Sequence, residues 1–312
     1  MTTPSRYALL TVDTEALPRR ASQHHIQRLV WGQHERGTAG IREITAIGSE
    51  FSVEHVFFLD LCAEYDNEQA WGDVVTWLAQ AGQDIQLHTH PEVLPKSFWQ
   101  AHGMRPSPRQ MNRFADSARA ELVIRHFSER LSGLTGKPVL AYRAGSFRWN
   151  AHTLRALQAL GIPLSFNNSM RARVEGRCSL SQRSNHPFMW SNGVVEVPVT
   201  ERRVFNGFRQ PERWVSLAHP PARSFRRLGN LNVLGWPLFT PKPPVAVFLL
   251  HSWSLLERDE NGHAVYRNDA LLEAYRRTVA RIVKDYDVIT TSEFLDLLAR
   301  GKITPSHTVG LE

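Results

Sequence analysis

Cysteine is nearly absent. Cys62 and Cys178 are the only two among 312 residues, too few and too far apart for a disulfide framework or a zinc ribbon. Long apolar runs are missing as well: VAVFLL (245–250) stops within six residues, against the roughly 20 that a membrane helix requires. The N-terminal MTTPSRYALLTVDTEA carries only a short apolar run before acids appear, too short for the apolar region of a signal peptide. The expectation is a mature chain starting here, soluble and cytoplasmic, with the inner face of the membrane as the alternative place of work. Lysine is missing where basic charge is densest. Residues 169–230 hold eleven Arg, no Lys and four Glu, which accounts for the whole formal net charge of +7.

What remains is ordinary in composition. Hydrophobic residues make up 42% and charged residues 21%, which fits neither a disordered chain nor a coiled coil. A chain of this length buries roughly three quarters of its extended surface on folding. Folding therefore needs no structural metal, and any metal is expected to be catalytic. The length permits a single α/β barrel over 1–312.

Short apolar strands alternate with helical patterns, the pattern of repeated βα units around a mostly parallel sheet. Strands are expected near 7–13, 55–61, 84–89, 138–143, 163–167, 245–251 and 286–290. Helices are expected over 69–81 (Trp71, Val74, Val75, Leu78), 109–133 (Met111, Phe114, Ala118, Leu122, Phe127, Leu131), 151–160 and 268–285, with Gly133 and Gly161 as stops. The exception is 169–244, rich in Arg, Pro, Asn and Ser and weakly periodic. It reads as a long basic insertion interrupted by one short strand, VVEVPV (194–199), which Pro198 assigns to an edge or irregular position.

Four polar clusters fall at the C-terminal ends of expected strands, where α/β sheets and barrels carry their active sites. In LLTVDTEA (9–16), alternation places Asp13 and Glu15 on one side, close enough to share a metal or divide base and ligand roles. Solvated acids at a strand end would look the same. In DIQLHTHPEV (84–93), His88 and His90 point the same way and are placed to bind one divalent ion. In VLAYRAGSFRWN (139–150), Arg143 ends a strand and Gly145 permits a tight turn. Its guanidinium either orients a carboxylate or packs over Trp149. In VAVFLLHSWSLL (245–256), His251 and Ser252 reach the same rim, where His251 is suited to proton transfer unless it is a neutral core histidine.

The order of these clusters resembles the NodB-type polysaccharide deacetylases: carboxylates after the first strand, a histidine motif after the third, Arg with Gly after the next, and Leu-His near the end. HVFFLD (55–60) is similar to the family's second strand and VITTSEFLDLL (288–298) to its terminal strand and helix. The resemblance covers nearly the whole chain. It implies a distorted (β/α)7 barrel with a divalent metal, usually zinc, that hydrolyses the amide of an N-acetylated sugar. By position, Asp13 becomes the catalytic base, Arg143 orients it and His251 becomes the general acid. His88, His90 and Glu15 become the metal ligands. The chain departs from the common pattern in three places. Thr14 stands where a second aspartate is usual, the histidines are two apart instead of four, and Asn167-Asn168 replaces an acid after the fifth strand.

The basic segment combines its Arg with Phe205, Phe208, Trp214 and Phe225. That mixture suits a phosphate-bearing ligand, an anionic membrane surface in peripheral contact, or simply a solvated loop. Nucleic acid is not expected, since no recognised module is present. The resulting expectation is a metal-dependent N-deacetylase of an N-acetylated sugar, nucleotide-, lipid- or glycan-linked, in surface polysaccharide biosynthesis. The alternatives are a weak or inactive deacetylase-like sugar-binding protein and a hydrolase of another amide such as a formamide or a ureide ring.

Overall fold

A computed structural model describes residues 6–35, 37–204, 212–220 and 242–311. The strands are β1 (Tyr7–Thr14), β2 (Gln33–His34), β3 (Gly37–Thr38), β4 (Val56–Asp60), β5 (Asp84–Thr89), β6 (Ala141–Ala144), β7 (Leu164–Ser165), β8 (Phe188–Trp190), β9 (Val195–Glu196), β10 (Glu201–Val204), β11 (Arg213–Ser216), β12 (Val245–His251), β13 (Leu256–Arg258), β14 (Ala264–Arg267), β15 (Asp287–Val288) and β16 (Thr308–Val309). The helices are α1 (Ile41–Ser49), α2 (Glu68–Gln80), α3 (Lys96–Ala101), α4 (Ser117–Thr135), α5 (Ala151–Ala159), α6 (Met170–Val174), α7 (Asp269–Asp285) and α8 (Thr291–Ala299). Among the described residues no helix is long and apolar enough to cross a membrane.

The main sheet runs β12-β1-β4-β5-β6-β7-β9-β8-β16 and is parallel from β12 through β9. It curls into an α/β half-barrel whose open edge at β12 is met by the stretch around Leu217–His219 and by Thr200. Six of the seven expected strands line this path. The seventh, near 286–290, is only the two-residue β15, which pairs with the start of β1 off the main path. Its place in the curl is taken by β9, from the VVEVPV run.

Period-two alternation explains both faces. Leu9, Phe58, Ala141, Leu164, Val195, Val247 and Leu249 form a core inside the curl. Ala8, Leu10, Val12, Phe57, Leu59, Leu87, Phe248 and Leu250 meet the helices outside. Parity then carries Asp13, Asp60, Arg143 and His251 to the inner side, above that core, at the C-terminal ends of their strands.

Side-chain caps fix where the helices begin. Asn67, Asp116, Asn150, Asn268 and Thr290 each accept from a backbone N–H in the first turn, and losing such a cap commonly costs about 1 kcal/mol. The Asp116 cap corrects one sequence expectation. Because α4 starts only at Ser117, Met111 and Phe114 lie outside it, and its buried stripe is Ala120, Val123, Ile124, Phe127 and Leu131, with Ala118 exposed. Gly133 lies inside this helix; Gly136, at φ 67°, ends it in the left-handed conformation that glycine adopts without strain. Gly161, also at φ 67°, follows the C-cap of α5 as expected.

Candidate functional site

The parallel register sets the site. Asp13 stands opposite His251 across β1 and β12, Asp60 opposite His88 across β4 and β5, and His88 opposite Arg143 across β5 and β6. A single row of chemically active side chains thus crosses the rim. All six residues expected from the sequence are here. Asp13, Glu15, His88, His90 and Arg143 are buried, and His251 is partly exposed.

Arg143 is fully buried and donates from Nη1 to Asp13 Oδ1 at 2.5 Å, from Nη2 to Thr11 Oγ1 at 3.0 Å and from Nε to the Phe166 carbonyl at 3.3 Å. Its guanidinium lies over Phe58, 4.3 Å from the ring centroid. The alternative packing over Trp149 is not adopted: Trp149 packs on Trp190 and donates to the Asn167 carbonyl. Removing one member of a buried ion pair of this kind typically costs about 3–5 kcal/mol, so Asp13 is held firmly, with one carboxylate oxygen left for chemistry.

His88 and His90 show why the two-residue spacing works. The Nδ1 of His88 faces the Arg143 carbonyl at 2.8 Å and that of His90 faces Glu92 Oε1 at 2.8 Å. Both partners only accept, which assigns the N–H to Nδ1 and leaves each Nε2 as a lone pair. Those lone pairs meet at one atom, Glu15 Oε1, at 2.9 Å from His88 and 3.1 Å from His90. With both imidazoles neutral the three atoms present only lone pairs to one another, a set that a cation between them would satisfy; with an imidazole protonated, its Nε2–H donates to Glu15 instead. Ligand atoms around a tetrahedral zinc are about 3.3 Å apart, so the set fits a divalent ion. The electrostatics favour the charge-paired form of the same cluster. Burial works to raise the Glu15 carboxyl, but His90 and His88 more than offset it and hold it well below the usual carboxylate range. Burial works to lower His90, yet Glu15, Glu92 and Asp60 hold it well above the ordinary imidazole value.

A second group shares Glu15: Asp13, Glu15 and His251 place ligand-type atoms within 4.8 Å of one another. His251 stacks on Trp253, with ring centroids 4.9 Å apart and planes at 27°. Burial pushes its pKa down, with Glu15 and Asp13 pulling the other way. Ser252 does not join this group; its backbone N–H donates to the Asp13 carbonyl at 3.0 Å.

Several supporting residues were not singled out from the sequence. Glu92 fixes the His90 tautomer, and Asp60 Oδ1 accepts the His90 N–H at 3.0 Å. Asp60 does end an apolar run, the same sign that marked Asp13. Gly145 matters for closeness and not only for its turn, since a Cβ there would lie 2.6 Å from the His90 ring. At Asn167-Asn168, the buried Glu196 accepts both backbone N–H groups, at 2.6 and 2.7 Å, together with Ser165 Oγ and Trp190 Nε1. Asn167 Oδ1 in turn accepts the Ala144 N–H at 2.6 Å.

Part of the basic segment's charge is paired internally where it is described. Arg171 and Arg177 pair with Glu175, and Arg183 and Arg203 with Glu212. Trp214 lies in β11 with the Arg183 guanidinium 5.6 Å from its ring. Phe205, Phe208 and Phe225 lie outside the described residues. A cavity of about 410 Å³ at the opposite end of the barrel, lined by Glu54, Asp84, Gln86 and Lys137, contains none of the rim residues.

No family model matches the chain, and no curated protein matches it. Among solved structures, one from Mycobacterium smegmatis described as a polysaccharide deacetylase is similar with a TM-score of 0.54 at 17% identity, over 98% of this chain and 94% of the other. PuuE allantoinase is similar with a TM-score of 0.53 at 14% identity, over 96% and 93%. The 4-alpha-glucanotransferase of Thermococcus litoralis is similar with a TM-score of 0.54 at 13% identity, over 97% of this chain but 39% of that one. At such identities the likeness is one of architecture, and the chain has the fold of the NodB-type polysaccharide deacetylases.

Proposed function

We propose that the protein is a metal-dependent hydrolase that removes the acetyl group from an N-acetylated sugar, in the assembly of a surface polysaccharide. The observation that carries this reading is the meeting of two groups at one carboxylate. Glu15, His88 and His90 form a three-donor set, while Asp13 and His251 stand within 4.8 Å of one another and of Glu15. A divalent ion bound by Glu15, His88 and His90, zinc being best suited to two imidazoles and a carboxylate, supplies Lewis acidity that acidifies water and polarises the acyl carbonyl.

The remaining steps belong to side chains. Asp13, pinned through Oδ1 by Arg143, takes a proton from the attacking water on its second oxygen. The water oxygen bonds to the acyl carbon and the carbon–nitrogen bond breaks, giving acetate and an amine. His251 delivers the proton that the departing nitrogen requires. Because burial holds its imidazole below the ordinary range, His251 rests neutral near pH 7 and is charged by the proton that Asp13 collects. Such acid assistance is commonly worth roughly 100- to 10,000-fold in rate.

The test compares zinc binding and acetate release in wild type, Asp13→Asn, and a His88→Ala, His90→Ala double variant. One tight calorimetric zinc site in wild type, kept in Asp13→Asn and lost in the double variant, is expected. Acetate release from N-acetylglucosamine derivatives should fall at least about a hundredfold in Asp13→Asn. Wild-type turnover in Asp13→Asn would overturn the role given to that residue. Zinc binding and sugar binding without turnover would make the protein a sugar-binding relative. Opening of allantoin without acetate release would move the substrate to a cyclic ureide, the chemistry named for the PuuE allantoinase whose architecture it shares.

A further inference from the structure

Five arginines stand on loops that follow the C-terminal ends of the barrel strands. Arg19 and Arg20 lie in the turn after β1, Arg148 follows the turn after β6, Arg177 lies just beyond α6, which follows β7, and Arg258 ends β13, which follows β12. Only Arg177 comes from the Arg-rich stretch. Arg20 is the innermost. Its guanidinium lies 5.7 Å from the centroid of Trp253, the ring on which His251 is stacked, and its Nε is buried without a hydrogen-bond partner.

These cations influence one another. Arg20 is lowered by burial and then by Arg19, with Glu15 in partial opposition. Arg258 is lowered by desolvation and then by Arg20. Arg177 is lowered by burial, with Glu175 opposing and Arg171, Arg148 and Arg19 adding to the shift. Among the described residues, no carboxylate lies within ion-pair distance of Arg19, Arg20, Arg148 or Arg258, whereas Arg177 pairs with Glu175 at 2.5 Å. The stretches 205–211 and 221–241 contain no Asp or Glu, so they hold no counter-charge. Of the acids at the rim, Asp13 is engaged with Arg143, Glu15 with the two histidines and Glu92 with His90, while Glu257, Asp259 and Glu260 flank Arg258 in the chain without an ion pair to it.

Arg20 and Arg148 are half-buried and Arg19 and Arg258 exposed, and four guanidiniums without an ion-pair partner at one rim offer paired N–H donors to a multiply charged anion. Building on the hydrolase reading above, we infer that the N-acyl sugar taken by this site carries a phosphate or diphosphate ester, held by Arg20 beside Trp253 and by Arg19, Arg148 and Arg258 around it. A neutral glycan leaves all four without a partner, and a single carboxylate answers too few of them. The same chemistry is offered by a nucleotide-linked sugar in solution and by a polyprenyl-diphosphate-linked sugar in a membrane.

The first test is independent of turnover. Inorganic pyrophosphate is titrated calorimetrically into protein freed of metal, so that no ion can serve as its target. Wild type is expected to show one site that weakens with added salt. Arg20→Ala with Arg258→Ala should weaken it at least tenfold, as should Arg19→Ala with Arg148→Ala, a pair away from Trp253 that guards against a folding defect. Absence of pyrophosphate binding in wild type, or wild-type affinity in either double variant, overturns the inference. The second test gives the zinc-loaded protein three substrates: UDP-N-acetylglucosamine, a polyprenyl-diphosphate N-acetylhexosamine in phosphatidylcholine vesicles, and a neutral N-acetylglucosamine oligomer. One of the two phosphorylated substrates should exceed the neutral one at least tenfold in kcat/KM, and which one does so identifies the source. The ratio of phosphorylated to neutral kcat/KM should fall at least tenfold in Arg20→Ala with Arg258→Ala. Preference for the neutral oligomer overturns the inference. Pyrophosphate binding without turnover of any sugar sustains the anion site and removes the hydrolase reading instead.

Discussion

Two buried glutamates on the same rim are treated in opposite ways. Glu15, 4% exposed, faces two imidazoles; Glu196, 0% exposed, faces a hydroxyl, an indole and two backbone amides. Burial raises both. Histidine neighbours bring Glu15 well below the usual range, whereas four neutral donors leave Glu196 pushed up to about 7. The number of hydrogen bonds does not decide the outcome. A desolvated carboxylate is held ionised by nearby positive charge, and neutral dipoles only soften the cost. One side of the rim therefore keeps its carboxylate ionised beside two histidines, and the other uses a carboxylate to fix the Asn167-Asn168 backbone.

The strongest way to break this contrast is to give Glu15 a neutral partner. His90→Gln should weaken zinc by at least about a hundredfold, because one of three donors is lost from a site whose binding energy is shared among few ligands. Calorimetry reads this directly, and unchanged affinity would show that Glu15 and His88 suffice.

A second test acts on Glu196. Its raised folded-state pKa means that stability is fully present below the unfolded value near 4.5 and is lost as pH rises through about 7. Urea denaturation from pH 5 to pH 8 should show a loss of up to about 3 kcal/mol in wild type relative to Glu196→Gln. Parallel curves would place Glu196 with the paired carboxylates instead. The smallest effect is expected at Glu92, which touches the donor set only through His90 Nδ1. Glu92→Gln should cost about tenfold in zinc affinity, at the low end for a group that orients a ligand.

The sequence made the rim easier to read than its supports. Asp13, Arg143 and His251 each end an apolar run and His88 closes the alternating strand DIQLH, so strand direction and period-two parity were enough to gather them. Glu92 gave no such sign, because its role depends on a turn that brings it back to an imidazole two residues earlier. Glu196 sits in VVEVPV, a run that Pro198 assigned to an edge or irregular position, and its partners at 165–168 and 190 are joined only by sheet pairing. That same pairing made β9 a central strand, while the longer run near 286–290 contributed two residues at an edge. Period-two patterns report which face a residue takes, not which strands become neighbours. The eleven arginines of 169–230 misdirected attention in a similar way. Composition counts charge but not position: it does not see that Arg171, Arg177, Arg183 and Arg203 share Glu175 and Glu212, nor that arginines on three other loops stand at the same rim.

Arg143 belongs to both halves of the site. Its carbonyl receives the His88 ring N–H and its guanidinium holds Asp13. One residue at the end of β6 therefore sets both the tautomer and tilt of a ring on β5 and the orientation of a carboxylate on β1. The same link limits redesign, because substitutions that reposition one group through this strand also reposition the other.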